Sequence, residues 1–119
     1  MSTICVIENQ TGQSIKLVSV YKLFGSDPDG SFIQEFMDMN DTGVLSFTGG
    51  SGSGDYWTIQ FTGVADGVTY YRNQKRCDVE PDDIQSTTPI YLNFLAPETG
   101  FSIELPVSDS CTDNRYDTK

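Results

Sequence analysis

The chain has 119 residues, the size of one domain with a buried core, and its 17 acidic and 7 basic residues give a formal charge of −10. A field of this sign repels phosphate backbones, so the composition argues against nucleic-acid binding through a basic patch. The absence of histidine excludes a Ser-His-Asp triad, a Cys-His pair and any His-ligated metal site.

Two strands are predicted at the N-terminal end. An apolar run at residues 3–8 predicts a strand that is buried on both faces. After a turn, residues 14–24 alternate as a second strand. Its apolar face is predicted to carry Leu17 and Tyr21, together with Ile15, Ser19 and Leu23. The opposite face carries Val18 and Val20 with lysines near both ends, one of which is Lys22. We expect that face to be only partly covered.

The next segments are predicted as turns around one ambiguous element. Residues 25–30 and 38–43 are rich in Asp, Gly and Asn, which are typical of turns. Residues 31–39 fit either a short helix or a strand, and the neighbouring strands favour the strand. The glycines and serines of residues 49–54 predict a flexible link.

Residues 55–72 predict a β-hairpin, in which both arms alternate around a turn that contains Asp and Gly. If Phe61 faces Tyr70 across the turn, then Gln60 faces Tyr71. This register keeps the apolar residues on one face of the hairpin and the polar residues on the other.

A second hairpin is predicted near the C-terminal end, from strands at 90–94 and 101–107. Six or more short strands without a long helix indicate an all-β fold, which we expect to be an antiparallel β-sandwich, with a small β-barrel as the alternative. The sandwich is predicted over residues 1–107 and a polar C-terminal tail over 108–119. The residues predicted to fill the core are Trp57, Phe61, Phe94 and Ile103.

The outward face of the central hairpin provides the candidate ligand site, formed by Tyr56, Gln60, Tyr71 and Asn73. Flat aromatic rings beside amide groups suit sugar rings, which stack through C–H faces and need paired donors and acceptors for their hydroxyls. Ordinary cross-strand pairing or a second packed sheet would use the same residues.

Acidic residues in two parts of the chain form a candidate metal site. Asp27 and Asp29 start an oxygen-ligand pattern, and Asp78 and Asp82 complete it if the fold brings them close. Carboxylate oxygens are the ligands that Ca²⁺ prefers, so Ca²⁺ is the one cofactor considered. The alternative is a set of solvated turns that need no cofactor.

The three cysteines, Cys5, Cys77 and Cys111, lack the CxxC spacing of zinc and redox sites. An odd number of cysteines fits a reducing compartment, so a cytoplasmic protein is expected, although a bridge between Cys77 and Cys111 would fit a secreted protein from which a signal peptide has been removed. No segment approaches the length of about 20 apolar residues that a transmembrane helix needs.

The opening strand, the turn at 9–12 and the long second strand from Ile15 are similar to those of aegerolysin-like and other small acidic β-sandwich lipid-binding proteins, and the resemblance implies membrane-lipid binding as one alternative. The main prediction is a non-catalytic binding module, lectin-like in its candidate site, that recognises a carbohydrate, lipid or protein. A further alternative is an acidic protein that inhibits or caps a cationic partner. Enzyme activity is not expected.

Overall fold

The computed structural model of the chain describes residues 3–48 and 54–119, of which most are in strands. The link predicted at 49–54 therefore lies outside the described residues, except for Gly54. The elements in chain order are β1 (Thr3–Gln10), β2 (Ile15–Phe24), β3 (Asp27–Met37), β4 (Thr42–Phe47), β5 (Asp55–Gly63), β6 (Thr69–Arg76), α1 (Pro81–Gln85), β7 (Ile90–Leu95), β8 (Phe101–Glu104), β9 (Cys111–Asp113) and β10 (Asp117–Thr118).

The strands of the described residues form two five-stranded sheets. The first sheet has the order β4-β1-β7-β8-β9 and the second has the order β10-β6-β5-β2-β3. Every paired strand is antiparallel to its neighbour except β1 and β7, which run parallel. The sheets do not close into a barrel, so the predicted sandwich is confirmed over its barrel alternative.

The core lies between the two sheets and consists of the inward side chains of both. Phe61 of the second sheet contacts Phe94 of the first, with ring centroids 4.9 Å apart, and Trp57 meets Phe47 edge to face at 5.8 Å. Aromatic pairs in such arrangements stabilise a fold by about 0.5–1.5 kcal/mol beyond the burial of their area. Together with Ile103, the predicted core residues Trp57, Phe61 and Phe94 are completely buried, which confirms their predicted phase.

The second predicted strand is present as β2, but its predicted faces are wrong. Val18, Val20 and Lys22 are completely buried and form the core side, whereas Leu17 and Tyr21 are 61% and 43% exposed. The backbone of Leu17 has φ +52°, which interrupts the alternation that the sequence suggested. The face that ends in a lysine is therefore the inner face of the second sheet.

Two other expectations for the N-terminal half have clear outcomes. The strand predicted at 3–8 is present, but Ile4 is 48% exposed while Cys5 and Ile7 are buried, so only one face of β1 is fully covered. The ambiguous residues 31–39 belong largely to β3, which confirms the strand that their neighbours favoured.

Residues 108–119, predicted as a polar tail, contain β9 and β10 and contact both sheets. β9 pairs with β8 in the first sheet and β10 pairs with β6 in the second. Between them, Tyr116 is buried and its ring meets that of Phe61 edge to face at 5.1 Å. A disulfide joins Cys77 to Cys111. Strands of two and three residues leave no apolar period in the sequence, which is why the pattern did not reveal them.

Candidate functional site

The hairpin of β5 and β6 has the register that the sequence predicted. Phe61 pairs with Tyr70 and Gln60 pairs with Tyr71. The turn is fixed by Asp66, whose carboxylate accepts hydrogen bonds from the Val68 N–H and from the Tyr70 hydroxyl. Because the register holds, the side chains that alternate with the buried ones point out of the sandwich on the second sheet.

These outward side chains form a surface that we call the tyrosine face. Its members are six outward residues of β2, β5 and β6, namely Ser19, Tyr21, Tyr56, Thr58, Gln60 and Tyr71. Ser19 pairs with Gln60, which pairs with Tyr71, so one row of the face crosses three strands. Tyr21 pairs with Thr58 in the next row. Aromatic rings therefore lie beside hydroxyl and amide groups on this face.

The tyrosine face is uneven rather than flat. Tyr21 contributes to two of its clefts, of about 510 and 290 Å³, and Tyr56 lines a third, of about 420 Å³. Other outward residues that line these clefts are Leu17, Ser19, Leu23, Ser31, Ile33 and Thr58. Adjacent strands lie about 4.8 Å apart, so Tyr21 and Tyr71, two strands apart, stand roughly 10–15 Å from each other.

Two cations lie at the edges of the tyrosine face and hold its rings. The Arg76 guanidinium lies 6.0 Å from the ring centroid of Tyr56 and forms an ion pair with Asp78 at 3.0 Å. Hydrogen bonding from Arg76 lowers the pKa of Asp78, and the same contact raises the pKa of Arg76. At the other end, Lys119 Nζ lies 5.2 Å from the ring centroid of Tyr71 and donates to Gln60 Oε1 at 3.1 Å. These contacts restrict the rotation of the two rings, so that less conformational entropy is lost when a ligand binds.

The residues predicted as a ligand site from the sequence are brought together on this side of the second sheet. Tyr56, Gln60 and Tyr71 belong to the tyrosine face, and Asn73 is exposed two positions after Tyr71. Sequence reasoning missed Tyr21, because it assigned this residue to the apolar face of β2. Only the pairing of β2 with β5 reveals its place, and no local pattern in the sequence encodes that pairing.

The acidic residues predicted as a metal site are used in other ways. Asp29 forms an ion pair with Lys22, and Asp78 forms one with Arg76. Asp27 begins β3 and Asp82 lies in the first turn of α1. Among the residues that the structure describes, no three Asp, Glu, Cys or His side chains are grouped so that they could hold a metal ion.

In the described parts of the chain, no helix has the length and apolarity needed to cross a membrane. Comparison with protein-family models, with curated proteins and with solved structures finds no match to this chain. The likeness to aegerolysin-like proteins stays an expectation from the sequence.

Proposed function

We propose that this protein is a non-catalytic carbohydrate-binding domain and that the tyrosine face is its binding surface. The observation that carries the proposal is the register of β2, β5 and β6, in which Ser19, Gln60 and Tyr71 stand in one row and Tyr21 and Thr58 in the next. Tyrosine rings can stack on the C–H faces of sugars, while the serine, threonine and glutamine side chains offer both donors and acceptors to sugar hydroxyls.

The size of the tyrosine face supports an oligosaccharide rather than a single sugar. The distance of roughly 10–15 Å between Tyr21 and Tyr71 follows from the spacing of strands in a sheet. The clefts of about 510, 420 and 290 Å³ divide the surface into shallow subsites instead of one deep pocket. A chain of sugars that lies across the strands would reach several of these subsites at once.

The charge of the molecule favours a neutral glycan over an anionic surface. The formal charge is −10, and such a field opposes the approach of anionic lipids and of acidic polysaccharides. Contacts made by stacking and by neutral hydrogen bonds are little affected by salt, because screening acts on charges. The proposed binding is therefore distinct from the capture of a cationic partner, which would weaken steeply as the salt concentration rises.

The disulfide between Cys77 and Cys111 supports a location of the protein outside the reducing cytosol. Disulfides persist in secreted and surface proteins and are rare in cytosolic ones. We therefore favour the secreted alternative over the cytoplasmic location expected from the odd number of cysteines. A secreted glycan-binding domain would also meet its ligand directly.

The experiment is a screen of the whole protein on an array of neutral and acidic glycans, followed by calorimetric titration of the best neutral oligosaccharide. Tyr71→Ala should weaken binding by about 2 kcal/mol, or roughly 30-fold, because it removes one of the aromatic rings that stack on the sugar. Tyr91→Ala is the matched control, since Tyr91 lies on the outward side of β7 in the first sheet and should leave the affinity unchanged. Absence of any glycan binding, or equal losses in both variants, would contradict the proposal.

A further inference from the structure

The second sheet contains a cluster of three charged side chains in which a lysine lies between two carboxylates. Lys22 Nζ lies 2.6 Å from Asp29 Oδ2 and 2.8 Å from Asp55 Oδ1. The side chains of Lys22 and Asp55 are completely buried, and that of Asp29 is 8% exposed. The three residues belong to β2, β3 and β5, where β2 pairs with both of the others, so backbone pairing fixes their positions.

Aromatic rings surround the lysine of this cluster. Lys22 Nζ lies 4.4 Å from the ring centroid of Phe47 and 5.6 Å from that of Phe24. The Phe47 ring in turn packs against Trp57 in the core. Charges in such an apolar environment are costly even when they are paired, so a reaction that removes them is favoured by the surroundings.

Each carboxylate is also held through its second oxygen, but in different settings. Asp55 Oδ2 accepts a hydrogen bond from the Val79 N–H at 2.8 Å. Asp29 Oδ1 accepts hydrogen bonds from the N–H and from the hydroxyl of Thr48, both at 3.1 Å. Asp55 thus presents one oxygen to the lysine while a backbone donor polarises the other. Asp29 lies at the rim of the core, where a proton or a water molecule can leave.

We propose that Lys22 and Asp55 condense spontaneously to an intramolecular amide, with Asp29 as the proton relay. One ammonium proton moves to Asp55 Oδ1, which leaves a neutral amine and a neutral acid. The amine lone pair attacks Asp55 Cγ and the N–C bond forms, while the Val79 N–H stabilises the negative charge that develops on Oδ2. Asp29 accepts a second proton from Nζ and passes it to Oδ1, the Cγ–Oδ1 bond breaks, and Oδ1 departs as water.

The atoms and charges of this condensation balance without any other reactant. Of the three ammonium protons, one stays on the amide nitrogen and two leave in the water molecule. Both completely buried charges disappear, and of the three charges in the cluster only that of Asp29 at the rim remains. Reacting groups that a fold holds in contact reach effective concentrations of about 10⁵–10⁸ M, which offsets the tendency of water to hydrolyse an amide. This inference is independent of the glycan that the tyrosine face binds.

Mass spectrometry of the wild-type protein tests the proposal. After reduction of the disulfide, the intact protein should be lighter than its sequence by one water molecule. Digestion with trypsin and a Glu-specific protease should leave the bond after Lys22 uncut and should join the peptide that ends at Glu35 to the peptide of residues 36–72, which contains Asp55. A protein of full sequence mass that trypsin cuts after Lys22 would overturn the proposal.

The same digest separates the roles of the two carboxylates, because Glu35 lies between Asp29 and Asp55. A loop closed within residues 17–35, with residues 36–72 released, would mean that Asp29 is the acylated residue and would overturn the assignment. The Asp29→Asn variant should have the full mass of its own sequence, because it lacks the carboxylate that relays the proton. Lys16→Gln, a change of an exposed lysine on the same strand, should keep the loss of one water. An Asp29→Asn protein that still loses water would overturn the relay role.

Discussion

At the scale of single residues, Asp83 shows how one buried carboxylate can hold two distant segments together. It is 1% exposed and lies in α1, while its oxygens accept hydrogen bonds from the N–H groups of Val107 and Ser108 and from the Ser108 hydroxyl. It also accepts one from the Glu80 N–H at the start of α1. Burial opposes its ionisation, but these hydrogen bonds outweigh burial and lower the pKa of Asp83.

We expect Asp83→Ala to lower the free energy of unfolding by about 1–3 kcal/mol, because it leaves several backbone donors without their acceptor. Chemical denaturation measures the change. Asp82→Ala is the matched control, since Asp82 is exposed in the same helical turn and its loss should change stability by less than about 0.5 kcal/mol. Equal effects of the two substitutions would show that Asp83 does not hold the segments.

The lowered pKa values of three carboxyl groups predict how the stability of the protein changes at acid pH. Asp66, Asp78 and Asp83 each have a pKa below the usual value of 3.8 in the folded protein. Groups with a lowered folded pKa stabilise the protein fully above the unfolded pKa, and this stabilisation is lost as the pH falls through the folded pKa. We therefore expect the melting temperature to be steady near neutral pH and to fall steadily below about pH 4. A melting temperature that rises on acidification would contradict these shifts.

At the scale of elements, the hairpin of β5 and β6 could be predicted from the sequence because its two arms are adjacent and alternate cleanly. The pairing of Gln60 with Tyr71 followed from the turn and from the phase of the apolar residues. β2 could not be read in the same way. Its buried Lys22 looks like a surface residue until Asp29 and Asp55 are known to lie beside it, and these come from other strands. A local sequence pattern can predict which neighbouring strands pair. It does not identify the distant residues whose opposite charges allow a lysine to be buried.

The turn between β7 and β8 places a glycine directly under the C-terminal segment. Gly100 has φ +86°, and a Cβ there would collide with the backbone oxygen of Asp113 and would lie 2.7 Å from the Arg115 nitrogen. Gly67 has a similar φ of +69°, but a Cβ there would meet nothing within 4 Å. The two glycines thus share a backbone conformation and differ only in the space around them.

Gly100→Ala should therefore be more destabilising than Gly67→Ala. The shared conformation costs an alanine about 1–2 kcal/mol at either position, and the collision at Gly100 should add about 1–3 kcal/mol as β9 is pushed aside. Urea denaturation of both variants measures the difference. If the two proteins have the same stability, the segment around Asp113 does not pack against this turn.

The Cys77–Cys111 disulfide ties β9 to the segment that follows β6, across 34 positions of the chain. A bridge that closes a loop of this length stabilises a fold by about 3–4 kcal/mol in the chain-entropy treatment. We expect the Cys77→Ala, Cys111→Ala double variant to lose about that much stability in denaturant titrations.

Burial raises the pKa of Cys5 to about 12, so this thiol should stay unlabelled by thiol reagents until the protein unfolds. Labelling of Cys5 in the native protein would contradict its burial.

At the scale of the whole molecule, the sandwich separates its stabilising core from the proposed binding surface. Trp57 and Phe61 face inward from β5, while Tyr56 and Gln60 face outward from the same strand. Three members of the tyrosine face could be predicted because they lie in one hairpin. Tyr21 could not, because its neighbours on the face come from a strand more than thirty residues away along the chain.

The central claim is that the tyrosine face binds neutral glycans, and amide chemical-shift mapping tests it most directly. The neutral oligosaccharide that binds best on the array is titrated into the isotope-labelled protein at low and at high salt. We predict shifts concentrated at Tyr21, Tyr56, Gln60 and Tyr71, with the same dissociation constant at both salt concentrations. Shifts confined to the outward side of the first sheet, or an affinity that collapses at high salt, would contradict the account.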